Sequence, residues 1–348
     1  MDILILSTSS NNTATFIGSL DCLGEHNISV LRYDEKWHRA AIAAIQGDPS
    51  IRERINHPDP RQRFHFPRDV VAMDHEMLQN AKLARPDAIV YISAWEGDFV
   101  PLNETLGELN QIAPLIHFLC DAADPPWWPQ LQEFERRGTF SLTVNIDGSH
   151  VWPGGKNWPI HVHDWGIIGW RDKCLTLLTP LDTRYFPTRR HSFEERPYAI
   201  GYAGNAGGPF RSALVQRLQG IRGFAFKQRD DNPDSYGGYA EFLQHARISL
   251  SVPFTGSGAT THVKGRVLET GYAGGCLMEW VNPATEAWFT PRHEYWPYHS
   301  IEEGAELAEW LSFHPRIAGE TAAALHHAVT TKHSPKVFWN TVLERFKK

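Results

Sequence analysis

Short apolar runs alternate with stretches of helical periodicity along the chain. "DILIL" leads into a Ser/Thr/Asn loop, then a helix predicted near 13–24 and the strand "ISVLRY". "DAIVYIS" precedes a helix after Pro101, "APLIHFLC" precedes one after Pro125, and "FSLTVNI" closes the series. Strands alternating with helices predict parallel, doubly wound sheets. The pattern then restarts: "PYAIGYAG" enters a Gly-rich loop, "NAGGPFRSALVQRLQG" opens a helix, and "ARISLSV" and "GGCLMEW" follow as strands. Two consecutive α/β series predict two domains, with the seam in the proline- and charge-rich segment 178–197. The expected division is 1–190, 191–333 and a last helix in 334–348.

The carboxy-terminal punctuation is explicit. Ser300 and Glu303 form a capping box ahead of a helix that shows Ile301, Ala305, Ala308 and Leu311 at helical spacing. Ser334 and Pro335 fit the N-cap and first position of a final helix near 335–347.

Composition narrows the class. The chain has 348 residues, is 42% hydrophobic and 21% charged, and carries a net charge of -6. That excludes a general electrostatic attraction for nucleic acid or anionic lipid, so any anion site must be local. No apolar run approaches the length of a membrane span, and "MDILILSTSS" reads as a first strand and not as a signal peptide. Cys22, Cys120, Cys174 and Cys276 are widely spaced without a Cys-x-x-Cys pair, which predicts buried free thiols and a cytoplasmic protein.

The candidate chemistry starts at "HVKGRVLETGYAGG", residues 262–275. Val263, Val267, Leu268 and Tyr272 share one arc of a helix, with Arg266 and Glu269 opposite. Taken alone, Arg266 and Glu269 would be an i,i+3 surface pair worth a few tenths of a kcal/mol. His262, Lys264 and Arg266, however, crowd a helix N-terminus that is already partly positive, which implies an anion facing them. The small-residue loop just upstream, with Gly256, Ser257 and Gly258, places backbone N–H groups at the same point, so a phosphate or diphosphate is the economical occupant. Arg211 repeats the arrangement at the helix after the Gly204-Asn205 loop. That loop lacks the Gly-x-Gly-x-x-Gly spacing, and a tight turn explains it about as well.

The segment "KGRVLETGYAGGCLMEWVNPATEAWF" with "SIEEGAELAEWL" resembles the nucleotide-sugar half of the GT-B glycosyltransferases of the group-1 type. Within these it looks like the spore-maturation glycosyltransferase-like branch, which shows Lys-x-Arg-x-x-Glu and then Gly-Gly, as Lys264, Arg266, Glu269, Gly274 and Gly275 do here. "TPLDTRYFPT" looks like the family's interdomain segment, with Leu181 where glycine is usual. The resemblance is specific over roughly 200–345 and architectural before that. It implies two Rossmann-like domains facing a central cleft, an acceptor domain at 1–190, a donor domain at 191–333, and a last helix packing back on the first domain.

The resemblance further implies that Glu269 accepts the ribose hydroxyls. Lys264, with Arg211 or Arg266, would neutralise the diphosphate, and Gly204, Asn205, the 256–258 loop and His262 would line the donor. Thr261 stands where many retaining relatives carry a first glutamate, eight positions before Glu269. Asp121 and Asp98 follow predicted strands and are the candidate catalytic carboxylates, while Asp124, in Asp-Pro-Pro, reads as an N-cap. Lys264 would stabilise the departing diphosphate.

No metal, and no cofactor beyond the sugar nucleotide, is expected. Asp230-Asp231 reads as a solvated loop, His161 and His163 lack a third ligand, and the adjacent His326 and His327 read as surface residues. The expected function is metal-independent glycosyl transfer from a UDP- or GDP-type donor to a glycan, small molecule or protein, with retention on family grounds. The alternatives are a catalytically silent nucleotide-binding scaffold of the same fold and a two-domain nucleotide-sugar epimerase. Nucleic acid as partner would require a basic groove, and 1–180 shows no cluster of bases.

Overall fold

The computed structural model describes residues 1–8, 11–34, 43–44, 46–51, 70–92, 101–119, 137–148, 174–187, 192–228, 236–255 and 261–346. The chain divides into two compact units, one of 1–13, 25–118 and 134–143, the other of 14–24, 119–133 and 144–348.

In the first unit, β1 (Asp2–Ser7) pairs in parallel with β2 (Asn27–Arg32) and β3 (Ala88–Ile92), and β3 with β4 (Leu115–Leu119). The strand order is β2-β1-β3-β4-β5-β6, with β5 (Leu142–Asn145) at the boundary of the two units and β6 (Cys174–Thr176) counted in the second. Every residue of β3 and β4 is buried, as expected for parallel strands covered on both faces, whereas edge strand β2 buries none. Helix α1 spans Asn11–Gly18 and passes into a 3₁₀ turn, Ser19–Leu23, instead of continuing as the single helix predicted near 13–24. Helices α2 (Val70–Ala84) and α3 (Asn103–Ile112) pack together. Leu102, the residue before α3, has no side-chain cap, and the buried Asp74 of α2 supplies one, accepting from Leu102 N at 3.0 Å and Thr105 Oγ1 at 2.7 Å. His117 on β4 stacks on Phe140 with centroids 4.3 Å apart, and burial pushes its pKa down to about 3. It is a neutral core residue.

The second unit holds a five-stranded sheet whose paired strands all run parallel: β11 (Trp296–Tyr298), β10 (Cys276–Trp280), β9 (Ala246–Ser251), β7 (Tyr198–Gly204) and β8 (Phe224–Gln228), in that spatial order. The chain steps from β7 to β8 on one side, then to β9 on the other. The topological switch point therefore lies between β7 and β9, and doubly wound sheets place their ligands outside the carboxyl ends of such a strand pair.

One face of this sheet packs α5 (Tyr236–His245), α6 (Gly265–Tyr272) and α9 (Pro315–Thr331) through Phe242, Leu243, Val267, Leu268, Leu325 and Val329. The other packs α4 (Pro209–Leu218) and α8 (Ile301–Phe313) through Leu214, Leu218, Ala305, Ala308 and Leu311. The capping box before α8 is half formed. Ser300 Oγ accepts from Glu303 N at 3.0 Å, but Glu303 Oε2 accepts from His299 N at 2.7 Å, one residue earlier than predicted. A short helix, α7 (Pro283–Glu286), is capped by the Asn282 side chain. The last helix, α10 (Pro335–Phe346), has Ser334 Oγ accepting from Val337 N and buries Trp339 against Phe16 and Ser19.

Helices α6 and α9 touch at Gly271. A Cβ there would lie 2.8 Å from Val329 Cγ1 and 3.1 Å from Leu325 Cγ. Both neighbours are buried and stiffly held, so Gly271→Leu is expected to destabilise the protein by about 2 kcal/mol, more than offsetting the helix-propensity gain of about 1 kcal/mol. Urea denaturation of the two proteins checks this, and an unchanged midpoint would show that the helices can separate at little cost.

Two expectations are corrected by burial. Cys22 is an exposed thiol, unlike the buried Cys276, because the 3₁₀ turn points Leu20 and Leu23 inward instead. His326 is half-buried with Nδ1 2.9 Å from Gly271 O at the end of α6; only His327 is a surface residue.

Candidate functional site

Gly204 ends β7 with φ 150°, a conformation that disfavours side chains, and a Cβ there would lie 3.3 Å from Arg266 Nη2. The backbone conformation favours glycine at this position, and Arg266 reaches close to it from α6. Asn205 accepts from Gly207 N at 2.7 Å, so its side-chain oxygen shapes the loop, and Gly208, with φ 82°, starts α4. Arg211 follows in the first turn. Its charge and that of Arg266 both act on the Tyr202 hydroxyl, opposing the upward pKa shift caused by burial.

Glu269 is not half of an exposed pair. Tyr236 OH donates to Oε1 at 2.9 Å and Tyr239 OH donates to Oε2 at 2.6 Å. Arg266 Nε donates to the Tyr239 oxygen at 2.6 Å and lies 3.8 Å from Glu269 Oε2, with the two side chains only 16% and 13% exposed. The guanidinium also stands over the Tyr239 ring, 5.3 Å from its centroid. The carboxylate is thus fixed in direction by two hydroxyls and keeps acceptor capacity for further donors. Burial raises the pKa of both tyrosines, and Glu269 adds to the rise, so both remain hydroxyl donors.

Lys264 is the N-cap of α6, in extended conformation and half-buried, one position outside the helix in which it was predicted. Glu279, at the carboxyl end of β10, is fully buried, with Ser251 Oγ donating to Oε1 at 3.1 Å. Burial pushes the Glu279 carboxyl up to about 7, opposed by Thr285, Ser251, Lys264 and Asn282. His262 is 5% exposed and turns inward, with Nδ1 3.6 Å from Asp147 Oδ2. Its backbone is held at both ends, N to Pro253 O and O from Asn282 Nδ2. Val263 N also donates to Asp147 O, so the start of α6 is tied down on both sides.

The structure therefore brings Gly204, Arg266 and Glu269 together at the switch point, with Arg211 in the first turn of α4 and Lys264 at the start of α6, while His262 turns towards Asp147. Thr261 is half-buried, bridged to Phe254. Gly256, Ser257 and Gly258 lie outside the described residues, as do Asp98, Asp121, Asp124, Asp230, Asp231, His161 and His163. Sequence reasoning missed Tyr236, Tyr239 and Glu279. The Tyr-x-x-Tyr spacing was available as a signal, since on a helix it puts both hydroxyls on one face.

Residues 206–344 match the family model described as "Glycosyl transferase-like". A search of curated proteins finds no match to the chain. Among solved structures, Anabaena HepE in complex with UDP and glucose is similar over 100% of this chain and 99% of its own, with TM-score 0.62 and 10% identity. An alpha-glucosyltransferase in complex with UDP is similar over the full length of both chains, with TM-score 0.61 and 9% identity. A glycosyltransferase from Rickettsia africae gives TM-score 0.59 and 10% identity over 99% and 97% of the two chains. The fold is that of the GT-B glycosyltransferases, α/β with two largely parallel sheets. The carboxy-terminal part is glycosyl transferase-like, and family match and fold together support the transferase class inferred from the sequence.

Proposed function

We propose that the protein transfers a glycosyl group from a nucleotide-diphosphate sugar, a UDP-sugar first among the donors to try. The acceptor would be held by residues 1–190, the donor by 191–333, and the final helix would belong with the acceptor domain. The observation that carries the proposal is the Glu269 carboxylate, locked by Tyr236 and Tyr239 beside Arg266 at the switch point of the second sheet. In that place it would accept the ribose hydroxyls, while Lys264, Arg211 and the N-terminus of α6 would face the diphosphate. UDP is the bound nucleotide in both HepE and the alpha-glucosyltransferase, which favours it here.

In the reaction the bond from the anomeric carbon to the diphosphate oxygen breaks, and one to the acceptor oxygen forms. Negative charge grows on the departing diphosphate, where fixed positive groups lower the barrier without reorganising. With retention, the acceptor proton goes to the leaving phosphate. With inversion, Asp121 or Asp98 takes it. We favour metal-independent retention on the family resemblance.

A thermal-shift screen of UDP, GDP, dTDP and their sugars, with and without EDTA, tests the reading. One nucleotide class should raise Tm, by an amount unaffected by EDTA, and indifference to all of them would remove the proposal. Nucleic acid as acceptor is a second reading, because one similar alpha-glucosyltransferase structure holds UDP-glucose and DNA containing an abasic site. The net charge of -6 argues against it. Sugar transfer to duplex DNA supplied with the stabilising donor would establish it.

A further inference from the structure

We propose that Tyr239 is a positioning residue whose hydroxyl holds Arg266 and Glu269 apart, so that neither consumes the other and both stay open to the donor nucleotide. The proposal rests on the donor site described above and names the residue that keeps it open.

Arg266 and Glu269 lie one turn apart on α6, a spacing at which arginine and glutamate close readily into a direct ion pair. They do not close here. Arg266 Nε stands 3.8 Å from Glu269 Oε2, beyond hydrogen-bonding distance. The Tyr239 hydroxyl bridges the gap, accepting from Arg266 Nε at 2.6 Å and donating to Glu269 Oε2 at 2.6 Å. A phenol has one proton and a guanidinium can only donate, so this relay runs in one direction. Burial raises the pKa of Tyr239, which keeps that proton in place.

The relay leaves capacity on both charged groups. A guanidinium is planar, so anchoring Nε fixes where Nη1 and Nη2 point. Nη2 lies 3.3 Å from the place a Cβ on Gly204 would take, at the end of β7. Among the described residues the guanidinium bonds only through Nε, to Tyr239, and through Nη1, to Leu250 O at 3.5 Å, which leaves Nη2 for a ligand. Glu269 takes one hydroxyl on each oxygen, from Tyr236 and Tyr239, and each oxygen keeps a lone pair. A direct pair would turn the guanidinium onto the carboxylate. The nucleotide would then have to break an ion pair whose side chains are only 16% and 13% exposed, where charges attract more strongly than in water.

Tyr236 supplies the control, because its hydroxyl meets Glu269 but not Arg266. Isothermal titration calorimetry with UDP and with GDP on the wild type, Tyr239→Phe and Tyr236→Phe tests the proposal, together with melting curves in the absence of nucleotide. Tyr239→Phe should raise Kd about tenfold while its Tm stays within about 3 °C of the wild type, since the new ion pair offsets the lost hydroxyl. Tyr236→Phe should raise Kd about threefold or less. A residue that merely anchors the carboxylate predicts the same loss from both. A crystal structure of Tyr239→Phe should place an Arg266 nitrogen within about 3.2 Å of a Glu269 oxygen. Equal Kd values for the two variants, or the charges still apart in that structure, would overturn the proposal and leave the donor site standing. Should Tyr239→Phe fail to fold, the wild-type crystal structure with UDP decides. The hydroxyl still between the two charges supports the proposal, and a direct Arg266–Glu269 bond overturns it. No binding of either nucleotide to the wild type would remove the donor-site reading itself, and this inference with it.

Discussion

Glu269→Ala should abolish stabilisation by nucleotide and lower Tm in its absence, by two separable mechanisms. The carboxylate is the acceptor for the Tyr236 and Tyr239 hydroxyls and stands 3.8 Å from the Arg266 guanidinium. Truncation strands two mostly buried hydroxyls and leaves Arg266 without its counter-charge. Unmet buried donors cost about 1–3 kcal/mol each, and the residual exposure of the site moderates the total to about 3 kcal/mol. For a domain of this size that is a fall in Tm on the order of 6–12 °C. The second mechanism is loss of the ribose contact. A donor at about a hundred times its Kd stabilises the wild type by about 2.7 kcal/mol, and the variant should show no such shift. Glu269→Gln separates the two. It keeps an acceptor oxygen for one tyrosine and offers its amide N–H to the other hydroxyl oxygen, so folding should be nearly restored while the nucleotide shift stays small. Full nucleotide shifts in both variants would mean that Glu269 serves only to hold α5 against α6.

Trp339→Ala is expected to produce the largest loss of stability outside the site. Trp339 is 0% exposed, packs its ring 5.2 Å from that of Phe16 and 5.3 Å from that of Phe338, and donates from Nε1 to Ser19 Oγ at 3.0 Å. Removing a buried tryptophan costs about 3–5 kcal/mol, because the cavity collapses only in part. Trp339→Phe keeps most of the volume and loses the hydrogen bond, a penalty of about 1 kcal/mol. Urea denaturation followed by circular dichroism should show that order, with the Ala variant unfolding earliest. Equal midpoints for all three proteins would mean that α10 is held by its other contacts. The experiment bears on organisation as well as stability, because Trp339, 320 positions from Ser19, joins Phe338 in tying the last helix to the segment around Phe16 and Ser19.

Local signals were read well where their physics is local. The apolar runs of β3 and β4 are strands buried on both faces, Ser334 and Pro335 start α10, and Val267 and Leu268 turn inward from α6 as their spacing required. Errors arose where a partner comes from elsewhere. The second half of the Ser300 capping box was captured by His299, and His326 was drawn to the carbonyl of Gly271, 55 positions away. The cationic start of α6 was visible as a conflict with the helix dipole. The tyrosines that fix the Glu269 carboxylate were not, since those hydrogen bonds close over 30 and 33 positions.

By itself, then, the sequence determined the α/β alternation, the restart of the series after residue 190, the helix ends set by Ser, Asn and Pro, and a cluster of bases at the start of α6. These follow from backbone sterics, side-chain periodicity and short-range electrostatics, which act within a few residues. Only the tertiary structure decided that Arg266 and Glu269 are enclosed by Tyr236 and Tyr239, that His262 turns towards Asp147, and that Glu279 is a buried carboxyl. Each of these depends on which strand ends lie side by side, and strand order is fixed by burial of whole faces, a property no local stretch carries.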